Sequence, residues 1–402
     1  MDIIYQISKI IEFILITIST IEFLITSILI IILYHIFFYV VRDRKYIAAL
    51  IKYEDNNNLN LNNFESLPLI NIIIPAWKEG DTFRKCLENV FSLEYPSLKV
   101  FVNVGGNEET ISIAESFKNA NNYTILFQEK GGGKVKAIND CISQVKEGLI
   151  CLIDADIFLK DEDLLKMLYV IQNKNESIVI SFLKPHSSQV KKSFVRYLYI
   201  NRNALFRNKF QRYARNAISQ CTLLKLEVIK KVGKFTEKRL IGDGKSIGFD
   251  IMEQNFKIYQ LNSKSVQSFN FPLNLKEYFS QNVRWIQNLY YNVIKKSKKR
   301  TVIFIFLTLE ILYFIIFPLF LFINMGLFFL GILLMIYFYS KKMRKIGFFK
   351  KTTDKTFFGK NSIWFYISIV FFLYLDNIIQ IYTVLELLFK GDKKFRKRKN
   401  IE

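Results

Sequence analysis

Three long apolar blocks constrain this chain more than any other feature: Ile10–Val41, Val302–Tyr339 and Ile363–Phe389. A helix needs about 20 apolar residues to cross a bilayer, and each block reaches that length. The residues between the first two blocks, about Tyr46 to Lys299, have the mixed composition of a soluble domain. The sequence therefore predicts an integral membrane protein with one sizeable globular domain.

The formal net charge is +22, from 57 Lys and Arg against 35 Asp and Glu. Much of the excess lies beside the apolar blocks, at residues 42–45, 295–300, 341–345 and 393–399. Because short basic segments stay on the cytoplasmic side, we expect a cytoplasmic globular domain on a protein of the cell (plasma) membrane. Attraction to anionic lipid headgroups accounts for the charge, so we expect a lipid bilayer and no nucleic acid as partner.

Charge and hydropathy together divide the chain into seven predicted segments. The sixth stays open between two interpretations, because basic residues flank both of its ends. In chain order the segments are an N-terminal transmembrane anchor (1–45), a cytosolic α/β domain (46–272), an amphipathic interface helix (273–299), a transmembrane hairpin (300–340), a basic cytosolic loop (341–361), a transmembrane or partly interfacial helix (362–390) and a basic tail (391–402).

Cysteine and histidine usage limits the metals that the chain can bind. The cysteines form no C-x-x-C pair, which fits a reduced cytosolic domain and not a zinc site. With two histidines in the chain, a metal would be held mainly by oxygen ligands, which favours Mg²⁺ or Mn²⁺. The cysteines are Cys86, Cys141, Cys151 and Cys221.

Apolar runs alternate with helical patterns through the globular domain. This alternation predicts a Rossmann-like α/β fold with a mostly parallel, doubly wound sheet. Ligands bind beyond the carboxyl ends of the strands in such sheets, and Pro75, Gly105 and Asp154 lie at those ends. Strands are predicted at Leu67–Trp77, Leu98–Gly106, Tyr123–Glu129 and Leu149–Ile153.

Two acidic motifs are candidates for chemistry. Asp154 and Asp156 directly follow the last of these strands, where one carboxylate could bind a metal and the other a sugar hydroxyl. A surface turn rich in Asp is the alternative interpretation. Asp243 lies between two glycines before a helical pattern, so it is either a general base in a cleft or the N-cap of that helix.

A third motif lies in the amphipathic segment Ser280–Lys296. Gln281, Arg284, Trp285 and Asn288 follow the spacing i, i+3, i+4 and i+7, which places them on one helical face. The segment adjoins an apolar block, so it also fits a membrane-surface helix anchored by the tryptophan. The two roles do not exclude each other.

The order of these motifs resembles the processive family 2 inverting glycosyltransferases, such as hyaluronan, chitin, cellulose and poly-N-acetylglucosamine synthases. The order is strand-Pro-x-x-x-Glu, G-K-x-x-A-x-N, D-A-D, G-D and Q-x-x-R-W, followed by membrane helices, and it covers about Leu67 to Lys296. The resemblance implies a cytosolic GT-A fold and transfer of sugar from a nucleotide-diphosphate sugar, such as a UDP-sugar, to a growing polysaccharide that is exported.

The resemblance also implies residue roles. Asp154 would contact the nucleotide sugar, Asp156 the Mg²⁺ or Mn²⁺ ion on its diphosphate, and Asp243 would deprotonate the acceptor hydroxyl. Acids within apolar blocks, Asp376 among them, are expensive in lipid and are expected to line a path for the polymer. The other implied contacts are Gln281, Arg284 and Trp285 on the diphosphate and acceptor sugar, and Pro75, Ala76, Glu79 and Lys134 in the nucleotide pocket.

Departures from the family pattern leave the donor and the acceptor open. Val104 stands where the family has an acid that reads the uracil ring, and a weakened acid there is also found in enzymes that glycosylate membrane lipids. A non-processive lipid glycosyltransferase is therefore the alternative function. Either Asn103, Asn107 or Glu108 substitutes for the missing acid, or the nucleotide is a different one. Further departures are Lys78 for Asn and Ser219-Gln220 for Ser-Gly.

Overall fold

The computed structural model divides the chain into two compact units. The α/β unit comprises Glu54–Val195, Leu205–Phe271 and Arg398–Glu402, and the helical unit comprises Met1–Tyr53, Arg196–Ala204 and Pro272–Lys397. The residues described are 5–12, 25–26, 28–30, 33–34, 59–181, 183–199, 213–214, 220–237, 243–261, 266–269, 271–290, 308–309, 311–313, 315–352 and 363–390.

The α/β unit is built on an eight-stranded sheet with the order β3-β2-β1-β4-β9-β6-β10-β8. β9 and β8 run antiparallel to their neighbours, and the other pairings are parallel, which confirms the mostly parallel sheet. A small second sheet has the order β5-β11-β7. The strands are β1 Ile70–Trp77, β2 Leu98–Gly105, β3 Tyr123–Phe127, β4 Leu149–Ile153, β5 Ile157–Phe158, β6 Ile178–Ser181, β7 Lys184–Pro185, β8 Tyr213–Ala214, β9 Cys221–Lys225, β10 Ile258–Leu261 and β11 Gln267–Ser268.

Both faces of the sheet are covered by helices. Ile72 and Ile74 of β1 enter one hydrophobic layer and Ile73 enters the other, because successive strand residues point to opposite faces. Helices α1, α2 and α4 cover the first layer, whereas α3, α5 and α6 cover the second. They are α1 Asp81–Phe91, α2 Glu108–Glu115, α3 Gly133–Ile142, α4 Asp161–Asn173, α5 Leu226–Val232 and α6 Asp243–Glu253.

Helix α1 shows how the sequence sets this packing. Phe83, Cys86, Leu87 and Val90 follow helical spacing and are fully buried. Full burial of a side chain as large as leucine stabilises the fold by about 1.5–3 kcal/mol. All four cysteines of the chain are buried and form no disulfide in the structure.

The helical unit contains α7 Leu275–Leu289, a 3₁₀ helix Phe317–Phe322, α8 Met325–Thr352 and α9 Ile363–Lys390. Within the described ranges, one helix is long and apolar enough to cross a membrane, Trp364–Leu387 in α9, with a mean hydropathy of 1.6. Gly326–Ser340 forms a shorter apolar helix. Most of the predicted anchor and the first part of the predicted hairpin lie outside the described residues.

Helices α7 and α9 lie side by side and run in the same direction. Tyr278 contacts Asp376 near the start of α7, and Gln287 donates a hydrogen bond to Glu386 over 3.0 Å near its end. Between them, the ring of Phe279 lies 5.1 Å from that of Tyr382. Residue numbers therefore rise together along both helices.

Candidate functional site

The carboxylate of Asp154 is held at the carboxyl end of β4. One oxygen forms an ion pair with the ammonium of Lys134, in the first turn of α3. The other accepts a hydrogen bond of 2.7 Å from the amide of Gln220. β9 pairs with β4 up to Ile153 and Cys221, which places Gln220 beside Asp154. Both oxygens of Asp154 are thus oriented by side chains from other elements.

Lys134 lies among three of the predicted acids. Burial lowers the pKa of its ammonium, but the charges of Asp154, Asp243 and Asp156 raise it, and the net result lies above the ordinary value. Asp243 is the first residue of α6 and is exposed. The structure therefore brings Lys134, Asp154, Asp156 and Asp243 together in one charged cluster at the ends of the strands.

The thiol of Cys86 lies within the electrostatic influence of Glu79 and of two acids of the cluster. Burial raises the pKa of Cys86, and the negative charges of Asp156, Asp154 and Glu79 raise it further. The thiol donates a weak hydrogen bond of 3.8 Å to the backbone carbonyl of Asp154. A thiol with a raised pKa stays protonated, so Cys86 is a packing residue and not a nucleophile.

The end of β1 adopts an unusual backbone. Lys78 has φ = 56°, a left-handed conformation that asparagine and glycine adopt more readily than lysine. Its N–H donates to the carbonyl of Gly105 over 2.9 Å. Gly106, with φ = 94°, lies close to the end of β1. An added Cβ would come within 2.5 Å of the Lys78 side chain and 2.8 Å of the Trp77 indole. The two glycines at the end of β2, Gly105 and Gly106, thus let the ends of β1 and β2 approach.

Pro75 and Ala76 stand opposite Asn103 and Val104 in the parallel register of β1 and β2. The next loop is fixed by Thr110, whose hydroxyl accepts from the N–H of Glu79 and donates to its carbonyl, both at 2.7 Å. Sequence analysis missed this threonine, because the contact depends on α2 packing beside the β1 loop.

The substitutes for the missing base-reading acid differ in their surroundings. Val104 is fully buried in the core. Asn103 is also buried and donates to the Ala137 carbonyl on α3 at 3.3 Å, and Asn107 caps α2. Glu108, in the first turn of α2, is exposed. Asn107 is exposed as well, but its side-chain oxygen accepts from the N–H of Thr110 as the helix cap, so Glu108 is the exposed candidate that carries a carboxylate.

A divalent metal fits Asp156 as a ligand shared with a substrate. Among the residues that the structure describes, no group of three or more His, Cys, Asp or Glu side chains could hold a metal by itself. Mg²⁺ is commonly held by one or two carboxylates together with substrate phosphates and water. The carboxylate of Asp156 at a strand end suits that arrangement, in which the diphosphate supplies further oxygen ligands.

The remaining predicted site residues belong to the helical unit. Gln281, Arg284 and Trp285 lie on α7 and are half-buried. They lie within little more than one helical turn, at i, i+3 and i+4, so they share one side of α7, as their spacing predicts. Gln220 belongs to the α/β unit and was noted in the sequence only as a departure, because its partner lies 66 residues away in the chain.

Several characterised proteins are similar to parts of this chain. Poly-beta-1,6-N-acetyl-D-glucosamine synthase of Staphylococcus epidermidis is 29% identical over 94 residues, which cover 23% of each chain. The Staphylococcus aureus protein of the same name is 27% identical over 139 residues, or 34% of this chain and 31% of the relative. Glycosyltransferase AglE of Haloferax volcanii is 33% identical over 95 residues, covering 23% and 31%. The chain thus spans about a quarter to a third of these relatives.

The fold is similar to that of a solved mannosyltransferase, PcManGT from Pyrobaculum calidifontis in complex with GDP-Man and Mn²⁺. The TM-score is 0.50 at 12% identity, over 90% of this chain and 99% of the other. The likeness concerns the fold, a GT-A-like α/β sheet. Residues 68–288, more than half of the chain, match the family described as "Glycosyltransferase like family 2". The chain belongs to this family.

Proposed function

We propose that this glycosyltransferase moves a sugar from a nucleotide-diphosphate sugar to a hydroxyl of a growing polysaccharide at a membrane, with inversion. The observation that carries the proposal is the cluster of Lys134, Asp154, Asp156 and Asp243 at the carboxyl ends of the strands. Sheets of this kind bind ligands at that edge. The poly-N-acetylglucosamine synthases among the relatives support a polysaccharide product.

Each residue of the cluster has a part in the proposed reaction. Asp154, held by Lys134 and Gln220, would contact the nucleotide sugar, and Pro75, Ala76 and Glu79 would line the nucleotide pocket. Asp156 would hold Mg²⁺ or Mn²⁺, which neutralises charge on the departing diphosphate. The exposed Asp243 would take the proton of the attacking hydroxyl, and one base suffices because direct displacement inverts the anomeric carbon.

The sequence resemblance assigns the acceptor and diphosphate contacts to the Q-x-x-R-W residues. Gln281 and Arg284 would bind the diphosphate, and Trp285 would stack under the acceptor sugar. A guanidinium is suited to phosphate oxygens, because its donors match them in pairs. The apolar segments would hold the protein in the cell membrane with the catalytic domain on the cytoplasmic side, where nucleotide sugars are available.

The test is an incubation of the full chain in detergent or vesicles with labelled nucleotide sugars and Mg²⁺ or Mn²⁺. Products are sorted by size and by extraction into organic solvent. Long, water-soluble products are expected. Only short, lipid-extractable products would instead establish the lipid glycosyltransferase, which the buried Val104 favours.

Asp243→Asn tests the proposed base. This variant is expected to bind the nucleotide sugar normally and to lose transfer by about 100-fold or more, the scale of general-base catalysis. The matched control is Glu253→Gln at the other, exposed end of α6, which should keep full transfer. Normal transfer by Asp243→Asn would refute the assignment.

A further inference from the structure

A carboxylate in the apolar helix α9 accepts two tyrosine hydroxyls. Tyr197 donates to one oxygen of Asp376 over 2.6 Å, and Tyr278 of α7 donates to the other over 2.5 Å. These distances are those of strong O–H···O⁻ hydrogen bonds. Tyr197 is 2% exposed and Tyr278 is fully buried, so these bonds replace contacts with water.

Phe372, one helical turn before Asp376, contacts the rings of the same two tyrosines. Its ring stacks on Tyr197 at 4.9 Å and lies tilted against Tyr278 at 6.0 Å. Residues four apart on a helix share a face, so α9 presents an apolar ring and a carboxylate together. Each tyrosine is therefore held both at its ring and at its hydroxyl.

Phe279 lies at the centre of the α7 face that packs on α9, and the Q-x-x-R-W residues lie away from that centre. Tyr278 borders both sides, because it lies about 60° from Gln281 and about 20° from Trp285 around the helix. At about 100° per residue, Gln281, Arg284 and Trp285 each lie more than about 100° around the helix from Phe279. Phe279 faces Tyr382 of α9. The rotation of α7 about its own axis, which its packing on α9 fixes, thus determines the direction in which the Q-x-x-R-W side chains point.

We propose that Asp376 is a positioning residue for Gln281, Arg284 and Trp285. By binding Tyr278, Asp376 fixes the rotation of α7 about its axis and its position along α9. The orientation of the side chains proposed to bind the diphosphate and acceptor follows from that placement. The inference rests on the proposed function for the role of these three residues. It gives this acid of an apolar helix a use other than lining a polymer path.

The experiment compares Tyr278→Phe and Asp376→Asn with the unaltered full chain. Tyr278→Phe keeps the ring on Phe372 and removes only the hydroxyl. The matched control is Tyr366→Phe, which removes a tyrosine hydroxyl from α9 at a position away from Asp376. The measurements are kcat, KM for the donor and amide hydrogen exchange along α7 and along the strands of the α/β unit.

Both variants are expected to lower kcat at least tenfold with donor KM within twofold, and to speed exchange in α7 but not in β1 or β4. The double variant should be no worse than the poorer single variant, because both single variants disturb the same Tyr278–Asp376 contact. Tyr366→Phe should behave like the unaltered chain. Unchanged kcat, an equal change in KM, or faster exchange throughout the strands would overturn the inference.

Failure of the proposed function gives a different result. If the unaltered chain transfers no sugar from any donor, the proposed function fails, and exchange in α7 alone then decides the role of Asp376. Unaltered α7 exchange in Tyr278→Phe would overturn the inference in that case as well.

Discussion

Replacing Lys134 by Met removes the one ammonium shown in contact with Asp154 while keeping most of the apolar stem. Two charges about 3 Å apart interact by roughly 5 kcal/mol at an effective dielectric of about 20, before the cost of desolvation. Exposed salt bridges contribute about 0–1 kcal/mol to the free energy of unfolding, and removing one partner of a fully buried salt bridge costs about 3–5 kcal/mol. The side chains of Lys134 and Asp154 are 33% and 20% exposed, which places this pair between those limits.

We therefore expect Lys134→Met to lower the free energy of unfolding by about 2 kcal/mol, measured by urea unfolding of the full chain in detergent. The control is Lys136→Met on the same helix, whose contacts with Glu129 and Asp140 are both 3.3 Å long. A loss of about 0.5 kcal/mol or less is expected there. Equal losses in the two variants would refute the view that Lys134 balances the acidic cluster.

The pH dependence of the same variant gives a second check. The folded-state pKa of Lys134 lies above its ordinary value of 10.5, so its contribution is present below pH 10.5 and is lost as pH rises through the folded-state pKa. The difference in the free energy of unfolding between the unaltered chain and Lys134→Met should thus be constant from pH 7 to about pH 10 and shrink above that range. A difference that already shrinks between pH 7 and 9 would contradict this assignment.

Three further substitutions test the strand ends and the small sheet. Lys78→Asn should raise the free energy of unfolding by about 0.5–1 kcal/mol, because asparagine adopts the left-handed backbone at lower cost; a loss in urea unfolding would contradict this. Gly106→Ala should lower it by about 1–3 kcal/mol, owing to its positive φ and the close Trp77 indole; an unchanged midpoint would argue against that packing. Burial, and then Lys85, lower the pKa of His186, whose ring stacks on Phe269 at 4.1 Å, so the protein should lose stability as pH falls below 6.5. His186→Phe should reduce that loss between pH 7 and 5, and an identical acid profile would exclude His186 as its source.

Local patterns predicted the features of the site that depend on one strand and the turn after it. The apolar run before Asp154 and the alternation of strands and helices predict a mostly parallel sheet with acids at its carboxyl edge, and the structure has that sheet. The charges of Asp154, Asp156 and Asp243 all act on Lys134, and the positions of these acids follow from a strand end and a helix start, which the sequence marks with apolar runs and glycines.

Contacts between distant segments could not be predicted in the same way. Gln220 reaches Asp154 because β9 inserts antiparallel between β4 and β6, a pairing that no local pattern specifies. Asp376 was expected to line a path for polymer, on the grounds that acids are costly in lipid. Its two tyrosine partners come from segments about 100 and 180 residues earlier in the chain, so hydropathy alone gives no sign of them.

The parallel packing of α7 on α9 limits how deeply α9 can enter a bilayer. Contacts run from Phe372 to Glu386, which leaves at most residues 364–371 ahead of the paired stretch. Eight helical residues span about 12 Å, less than half of the roughly 30 Å of hydrocarbon in a bilayer. Crossing would therefore immerse α7 with its Arg284, and a charge at the bilayer centre costs about 2.5–3.5 kcal/mol on insertion scales. The composition of α9 allows it to span a membrane, but the packing of the polar helix α7 against it limits how deeply α9 can insert.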